Sequence, residues 1–94
     1  MNLDLRNKRA LVCGSTQGIG KAVAIELDLL GANVTLLARN EQTLRQVKSE
    51  LSTNNQQLHS YLCADFNDPA GLKVLVEQFI QRSGPVNILV NNTG

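Results

Sequence analysis

The chain carries almost no excess charge of either sign: nine lysines and arginines stand against eight aspartates and glutamates, leaving +1. That balance implies no broad attraction to nucleic acid or to an anionic membrane surface, and no run of like charges restores one. No apolar run approaches the ~20 residues needed to cross a bilayer. The start, Met1-Asn2-Leu3-Asp4-Leu5-Arg6, lacks a basic segment followed by an apolar one. No signal peptide is therefore expected, and the protein reads as soluble and cytoplasmic. Cysteine is scarce, and Cys13 and Cys63 have no second cysteine or histidine at ligand spacing. This excludes a zinc site and a redox pair. Each lies in a largely apolar segment and is expected to act as a small hydrophobe. The single histidine, His59, has no partner carboxylate in view and is expected to be a plain strand residue, neither ligand nor general base.

What is present is a globular composition, 43% hydrophobic and 18% charged, over 94 residues, enough for one small domain with a modest core. Ala10-Leu11-Val12-Cys13 is a continuously apolar run stopping at Gly14, as a buried parallel strand should. Ile19, Val23, Leu27 and Leu30 recur at helical spacing, with Gly31 as the stop. Val34 to Ala38 is a second buried strand. Asn40 can cap the next helix, whose Leu44, Val47 and Leu51 form one face and which ends in Ser52-Thr53-Asn54-Asn55. Leu58 to Ala64 reads as a third strand. Asp68-Pro69 is a helix start in which aspartate caps and proline takes the first turn, where no amide donor is needed. Leu72, Leu75, Val76, Phe79 and Ile80 give the best apolar stripe, Gly84-Pro85 ends it, and Val86 to Val90 is a fourth strand.

Strands and helices in alternation predict a parallel sheet with right-handed crossovers and helices on both faces. The class is α/β, the first half of a Rossmann-type doubly wound sheet with strand order 3-2-1-4, the reversal after the third strand opening a ligand crevice. The fourth strand would then be an edge, yet it is apolar and has no lysine, proline or charge within Val86 to Val90 to protect it. The chain looks like half of a larger sheet.

Between the first strand and first helix lies Gly14-Ser15-Thr16-Gln17-Gly18-Ile19-Gly20. A dinucleotide pyrophosphate needs amide donors at a helix N-terminus and no side chain that blocks close approach. Gly14 permits the tight turn, Gly18 the approach to the phosphates and Gly20 close packing of helix on strand. At the end of the second strand, an NAD site typically places an acid for the ribose hydroxyls. Here Ala38 stands there, followed by Arg39, whose guanidinium can pair bidentately with a 2′-phosphate. Asn40, Ser15 and Thr16 could add neutral donors. The cofactor implied is NADP.

The G-x3-G-x-G spacing resembles the T-G-x3-G-x-G fingerprint of the short-chain dehydrogenase/reductase family, with Cys13 for the usual threonine. The resemblance runs over the whole chain and is nearest to the 3-oxoacyl-(acyl-carrier-protein) reductase branch, which belongs to fatty acid metabolism. Asp65 looks like the family's adenine-contacting aspartate, although it could equally cap the following turn, and Phe66 would contribute its backbone amide. Asn91-Asn92-Thr93-Gly94 is similar to the N-N-A-G motif, which brings Asn91 and Gly94 to the cofactor side; Asn87 stands where many relatives have aspartate. The resemblance implies an NADPH-dependent oxidoreductase acting on a small-molecule or acyl-carrier-bound carbonyl, a 3-oxoacyl thioester in the nearest branch, and a homo-oligomer. Residues 1–94 would be the NADP-binding N-terminal part of a single Rossmann-type domain. The family's catalytic serine and Tyr-x3-Lys pair lie beyond these residues, and Tyr61 has Asp65, not lysine, four positions on. The alternatives are a non-catalytic NADP-binding module and a half-domain that completes its sheet with a partner chain.

Overall fold

The computed structural model describes residues 4–52 and 56–92. Thr53, Asn54 and Asn55, expected to end the second helix, and Thr93 and Gly94, expected at the cofactor, lie outside the described residues. Strands and helices alternate as β1 (Arg9–Cys13), α1 (Gly18–Leu29), β2 (Asn33–Ala38), α2 (Glu41–Glu50), β3 (Ser60–Cys63), α3 (Pro69–Ser83) and β4 (Ile88–Asn91). The strands form one parallel sheet in the expected order, β3-β2-β1-β4. Side chains alternate across it. Ala10, Val12, Val34, Leu36 and Ala38 cluster with Ala24 of α1 and Leu44 and Val47 of α2. Leu11, Leu37 and Leu62 point to the other face and meet Phe79 of α3. No helix among the described residues is long and apolar enough to cross a membrane.

Both expected caps form. Asn40 Oδ1 accepts from the Thr43 amide at 3.1 Å, and Asp68 Oδ1 accepts from the Gly71 amide at 3.1 Å with Pro69 in the first turn. The seam of α1 differs from the one its large apolar residues suggest. Its buried residues are Gly20, Ala24 and Asp28, whereas Ile19 is 73% exposed. Small residues let the helix axis come close to the sheet, and the larger Ile25 and Leu27 then pack only along its flanks.

β3 is shorter than the Leu58–Ala64 run, because a side chain and not the backbone makes its first link to β2. His59 precedes the strand, and its Nδ1 accepts from the Val34 amide at 3.0 Å. Its Nε2 lies 2.9 Å from Asp28 Oδ1 and 2.6 Å from the Ser52 carbonyl. Because Nδ1 is an acceptor, the proton sits on Nε2 and the ring is neutral, a hydrogen-bond donor to the carboxylate and not half of an ion pair. The expectation of a plain strand residue without a carboxylate partner is thus corrected. Asp28, 31 residues away in sequence, is that partner. Asp28 also accepts from the Ser52 amide at 2.7 Å and from Gln57 Nε2 at 3.1 Å, so among the described residues this buried carboxylate is met by donors.

β4 begins two residues later than its apolar run, at Ile88, because Asn87 is used to dock it: Asn87 Oδ1 accepts from the Arg9 amide at 2.8 Å and the Asn87 amide donates to the Arg9 carbonyl at 2.9 Å. An amide oxygen here does what a carboxylate would do. The strand is an edge, with Leu89 65% exposed. Beside it runs an apolar groove of about 340 Å³ whose walls include Leu11, Cys13, Val76, Ile80 and Leu89. The α3 stripe faces this groove, so only its Phe79 is buried.

Candidate functional site

Where β1 gives way to α1, the chain order across the sheet reverses, since β2 and β3 lie to one side of β1 and β4 to the other. Such a switch point leaves a crevice at the carboxyl ends of the strands. A cleft of about 290 Å³ lies there, lined by Gly14, Thr16, Gln17, Ala38, Arg39, Phe66 and Asn92. The glycine turn forms its floor. Gly14 has φ +74° and Gly18 φ +60°, in the region that disfavours any side chain. The Gly14 amide donates to the Leu37 carbonyl at 2.8 Å, tying the turn to the end of β2. Gly20 serves a different purpose. A Cβ there would run into the Gly14 carbonyl oxygen and come within 2.9 Å of the Gly14 carbonyl carbon and 3.1 Å of Asn92 Nδ2. Helix, turn and the end of β4 are in contact at that one backbone position.

The N-terminus of α1 opens onto this floor, and it differs from those of α2 and α3. Gln17 at its N-cap makes no side-chain hydrogen bond, and the first turn contains no acid. The other two helices satisfy an early amide with Asn40 or Asp68. First-turn amides without a side-chain acceptor, at the positive end of a helix dipole, suit a phosphate group.

Across the cleft, β2 ends in Ala38, 6% exposed, and none of the residues lining the cleft is an acid. Arg39 follows, exposed, and its guanidinium has no carboxylate partner among the described residues. Its carbonyl accepts a hydrogen bond from the Cys63 thiol at 3.2 Å, and the neighbouring Ala38 carbonyl accepts from the Ala64 amide at 2.9 Å. The end of β3 therefore holds the backbone that presents Arg39. Cys63 is exposed, contrary to its expected role as a core hydrophobe, because it falls on the open end of an edge strand. Cys13 is half-buried among apolar neighbours, and that burial pushes its thiol above the ordinary cysteine value.

The structure brings together Gly14, Thr16, Gln17 and Arg39 as expected, with Phe66 as a side wall. Ser15 departs from expectation: it is fully buried, so its hydroxyl does not reach the cleft, although its amide belongs to the turn. Asn40 spends its side-chain oxygen on the α2 cap. Asp65 is exposed, and its Oδ1 accepts from the Asn67 amide at 2.8 Å, the turn-capping alternative. Asn91 is exposed at the end of β4, but it is Asn92 that lines the cleft. Sequence reasoning named the first asparagine and passed over the second, although alternation along β4 sends the two to opposite faces. Tyr61 is remote from the cleft in its contacts, its hydroxyl engaged by Glu41 and Arg45.

The short chain dehydrogenase family model matches residues 8–94. Among curated relatives, a Streptomyces violaceoruber protein named as the candidate ketoacyl reductase 1 of the granaticin polyketide synthase is 45% identical over 85 residues, which are 90% of this chain and 31% of that protein. The 3-ketodihydrosphingosine reductase of Bos taurus is 38% identical over 96 residues, 98% of this chain and 29% of the relative. Among solved structures, L-sorbose reductase from Gluconobacter frateurii, complexed with NADPH and L-sorbose, superposes with a TM-score of 0.88 at 31% identity, covering 100% of this chain and 36% of that one. The chain thus spans about a third of the length of the relatives it matches. With the strand order, the glycine turn and the crevice already in place, these matches show that the chain belongs to the short-chain dehydrogenase/reductase family, oxidoreductases that bind a nicotinamide cofactor.

Proposed function

We propose that residues 1–94 are the NADP-binding, N-terminal part of a single Rossmann-type domain in a cytoplasmic NADPH-dependent carbonyl reductase, a homo-oligomer acting on a 3-oxoacyl thioester. The observation that carries the cofactor choice is the unpaired guanidinium of Arg39, set beside Ala38 where an NAD site would place an acid. Arg39 would pair with the 2′-phosphate, and the amides of Ser15 to Gly20 at the α1 N-terminus would hold the pyrophosphate. Thr16 and Gln17 donate from the cleft wall. Asp65 would accept from the adenine amino group with the carboxylate oxygen not engaged by Asn67, Phe66 would contribute its backbone amide beside the base, and Asn91, with Gly94 beyond the described residues, would serve the nicotinamide side. Bound NADPH supplies a hydride; the proton for the carbonyl oxygen comes from the Tyr-x3-Lys pair that family likeness places outside these residues. The Streptomyces violaceoruber relative's name supports a ketoacyl substrate, and the NADPH complex of the Gluconobacter frateurii neighbour supports the cofactor.

Arg39→Asp is expected to weaken NADPH binding about tenfold or more, since a charge-assisted pair becomes a repulsion, and to spare or improve NADH. Calorimetric titration with both nucleotides checks this, and an equal loss of both would remove the arginine argument. NADPH oxidation at 340 nm by the full protein with a 3-oxoacyl thioester tests the substrate; no turnover would defeat that assignment. A second reading, a half-domain completed by a partner chain, is favoured by the exposed Leu89 on β4. It requires a dimer by light scattering, and a monomer at high concentration would exclude it.

A further inference from the structure

We propose that Arg45 and Tyr61 hold Glu41 away from Arg39 and so keep that guanidinium unpaired for a 2′-phosphate, an inference that rests on the reading of Arg39 given above. Glu41 is the first residue of α2, two positions after Arg39. Two residues of backbone span at most about 7 Å, a gap that arginine and glutamate side chains close easily. The same spacing closes elsewhere in this chain: Arg6 chelates Asp4, with Nε at 3.0 Å from each carboxylate oxygen and Nη2 at 2.7 Å from Oδ2. Left alone, Glu41 would compete with phosphate for Arg39 in the same manner. It would also put back, at the end of β2, an acid able to accept from ribose hydroxyls.

Glu41 is engaged instead by α2 and β3. Its Oε1 accepts from Arg45 Nη2 at 2.8 Å and from the Tyr61 hydroxyl at 3.1 Å. Arg45 Nε donates to the same hydroxyl at 3.0 Å, which closes a ring of three side chains. The ring spans two elements, since Tyr61 comes from β3, where it lies opposite Leu36, and Arg45 from the second turn of α2. The Tyr61 hydroxyl and then Glu41 hold the Arg45 guanidinium above its ordinary pKa, consistent with a cation engaged from two sides. Asp65, the acid at the carboxyl end of β3, is engaged by the Asn67 amide. Arg45 and Tyr61 are thus positioning residues, touching no cofactor and acting through Glu41 on which nucleotide Arg39 selects. Glu41 and Arg45 are exposed and Tyr61 is half-buried, so the effect is modest and should be read as a ratio.

The test measures dissociation constants for NADPH and NADH on the full chain in the wild type, Arg45→Ala, Tyr61→Phe, Arg45→Ala with Glu41→Gln, and Arg39→Ala. Arg45→Ala is expected to raise the NADPH constant about two- to fivefold while the NADH constant stays or falls, with a smaller shift for Tyr61→Phe. Adding Glu41→Gln should return the ratio to the wild-type value, because the released competitor is then uncharged. An unchanged ratio in Arg45→Ala and Tyr61→Phe, with Arg39→Ala still collapsing it, would refute this inference and leave the Arg39 reading intact. Equal weakening of both nucleotides would also refute it, as the mark of a merely structural ring. A ratio indifferent to Arg39→Ala would remove the inference and its foundation together.

Discussion

Gly20→Ala is expected to lower NADPH affinity by at least about tenfold, the larger of the two glycine effects at the cleft floor. The added methyl meets the Gly14 carbonyl oxygen, a backbone atom with no rotamer by which to withdraw. Either α1 moves away from β1 or the turn deforms, and both displace the amides that face the phosphates. Overpacking of this kind also costs about 1–3 kcal/mol of stability. Gly18→Ala is the informative control. Its Cβ meets nothing within 4 Å, so only the strain of φ +60° remains, on the order of 1–2 kcal/mol. Parallel titrations with NADPH and urea melts would separate the two. Should Gly20→Ala bind as well as the wild type, close helix–turn packing would not be what shapes the phosphate floor.

Asp28→Ala is expected to destabilise the fold by about 1–3 kcal/mol by urea denaturation. The carboxylate is 3% exposed and receives hydrogen bonds from the Ser52 amide, Gln57 and His59. Its removal takes one acceptor from each, while Gln57 Nε2 keeps the Asp28 and Ala32 carbonyls and His59 Nε2 keeps the Ser52 carbonyl, so the cost is that of weakening a shared buried network, about 1–3 kcal/mol. That is a large part of the ~5–15 kcal/mol available to a domain of this kind. Asp28→Asn should fall between, because the amide keeps one acceptor oxygen but turns an NH₂ group toward the remaining donors. A loss below about 1 kcal/mol for the alanine variant would mean that the carboxylate does not anchor the start of β3.

The sequence alone made visible those features governed by near neighbours. Strand and helix alternation, the caps at Asn40 and Asp68 and the glycine turn all follow from residues a few positions apart, and the sheet order followed from connection rules. The bare edge was also foreseeable, since Val86 to Val90 has no charge to guard it. What stayed hidden depends on packing between distant segments. A hydrophobic pattern selects large side chains, so it pointed to Ile19 and Val23; the glycine motif gave the close packing at Gly20, but Ala24 and Asp28, which continue that seam, went unseen. An aspartate on a helix reads as solvent-facing until His59 and Gln57 are seen to fold over it. In the candidate site, Arg39 was legible from its place after β2, but its freedom from a carboxylate was not. Nor was the diversion of Glu41 by Tyr61, since nothing local links a residue of β3 to the first turn of α2.

The uncapped N-terminus of α1 would, under the proposed function, tie folding to nucleotide concentration. A helix that carries its own cap is as stable in an empty cell extract as in a full one. One that leaves its leading amides to a visiting anion gains stability in proportion to the logarithm of that visitor's abundance. At a hundred times its dissociation constant, a nucleotide that binds only the folded form adds about 2.7 kcal/mol. If the turn binds the nucleotide as proposed, that dependence enters through α1, the one helix among the described residues whose first turn has no side-chain cap, and a melt repeated with and without NADPH would read it.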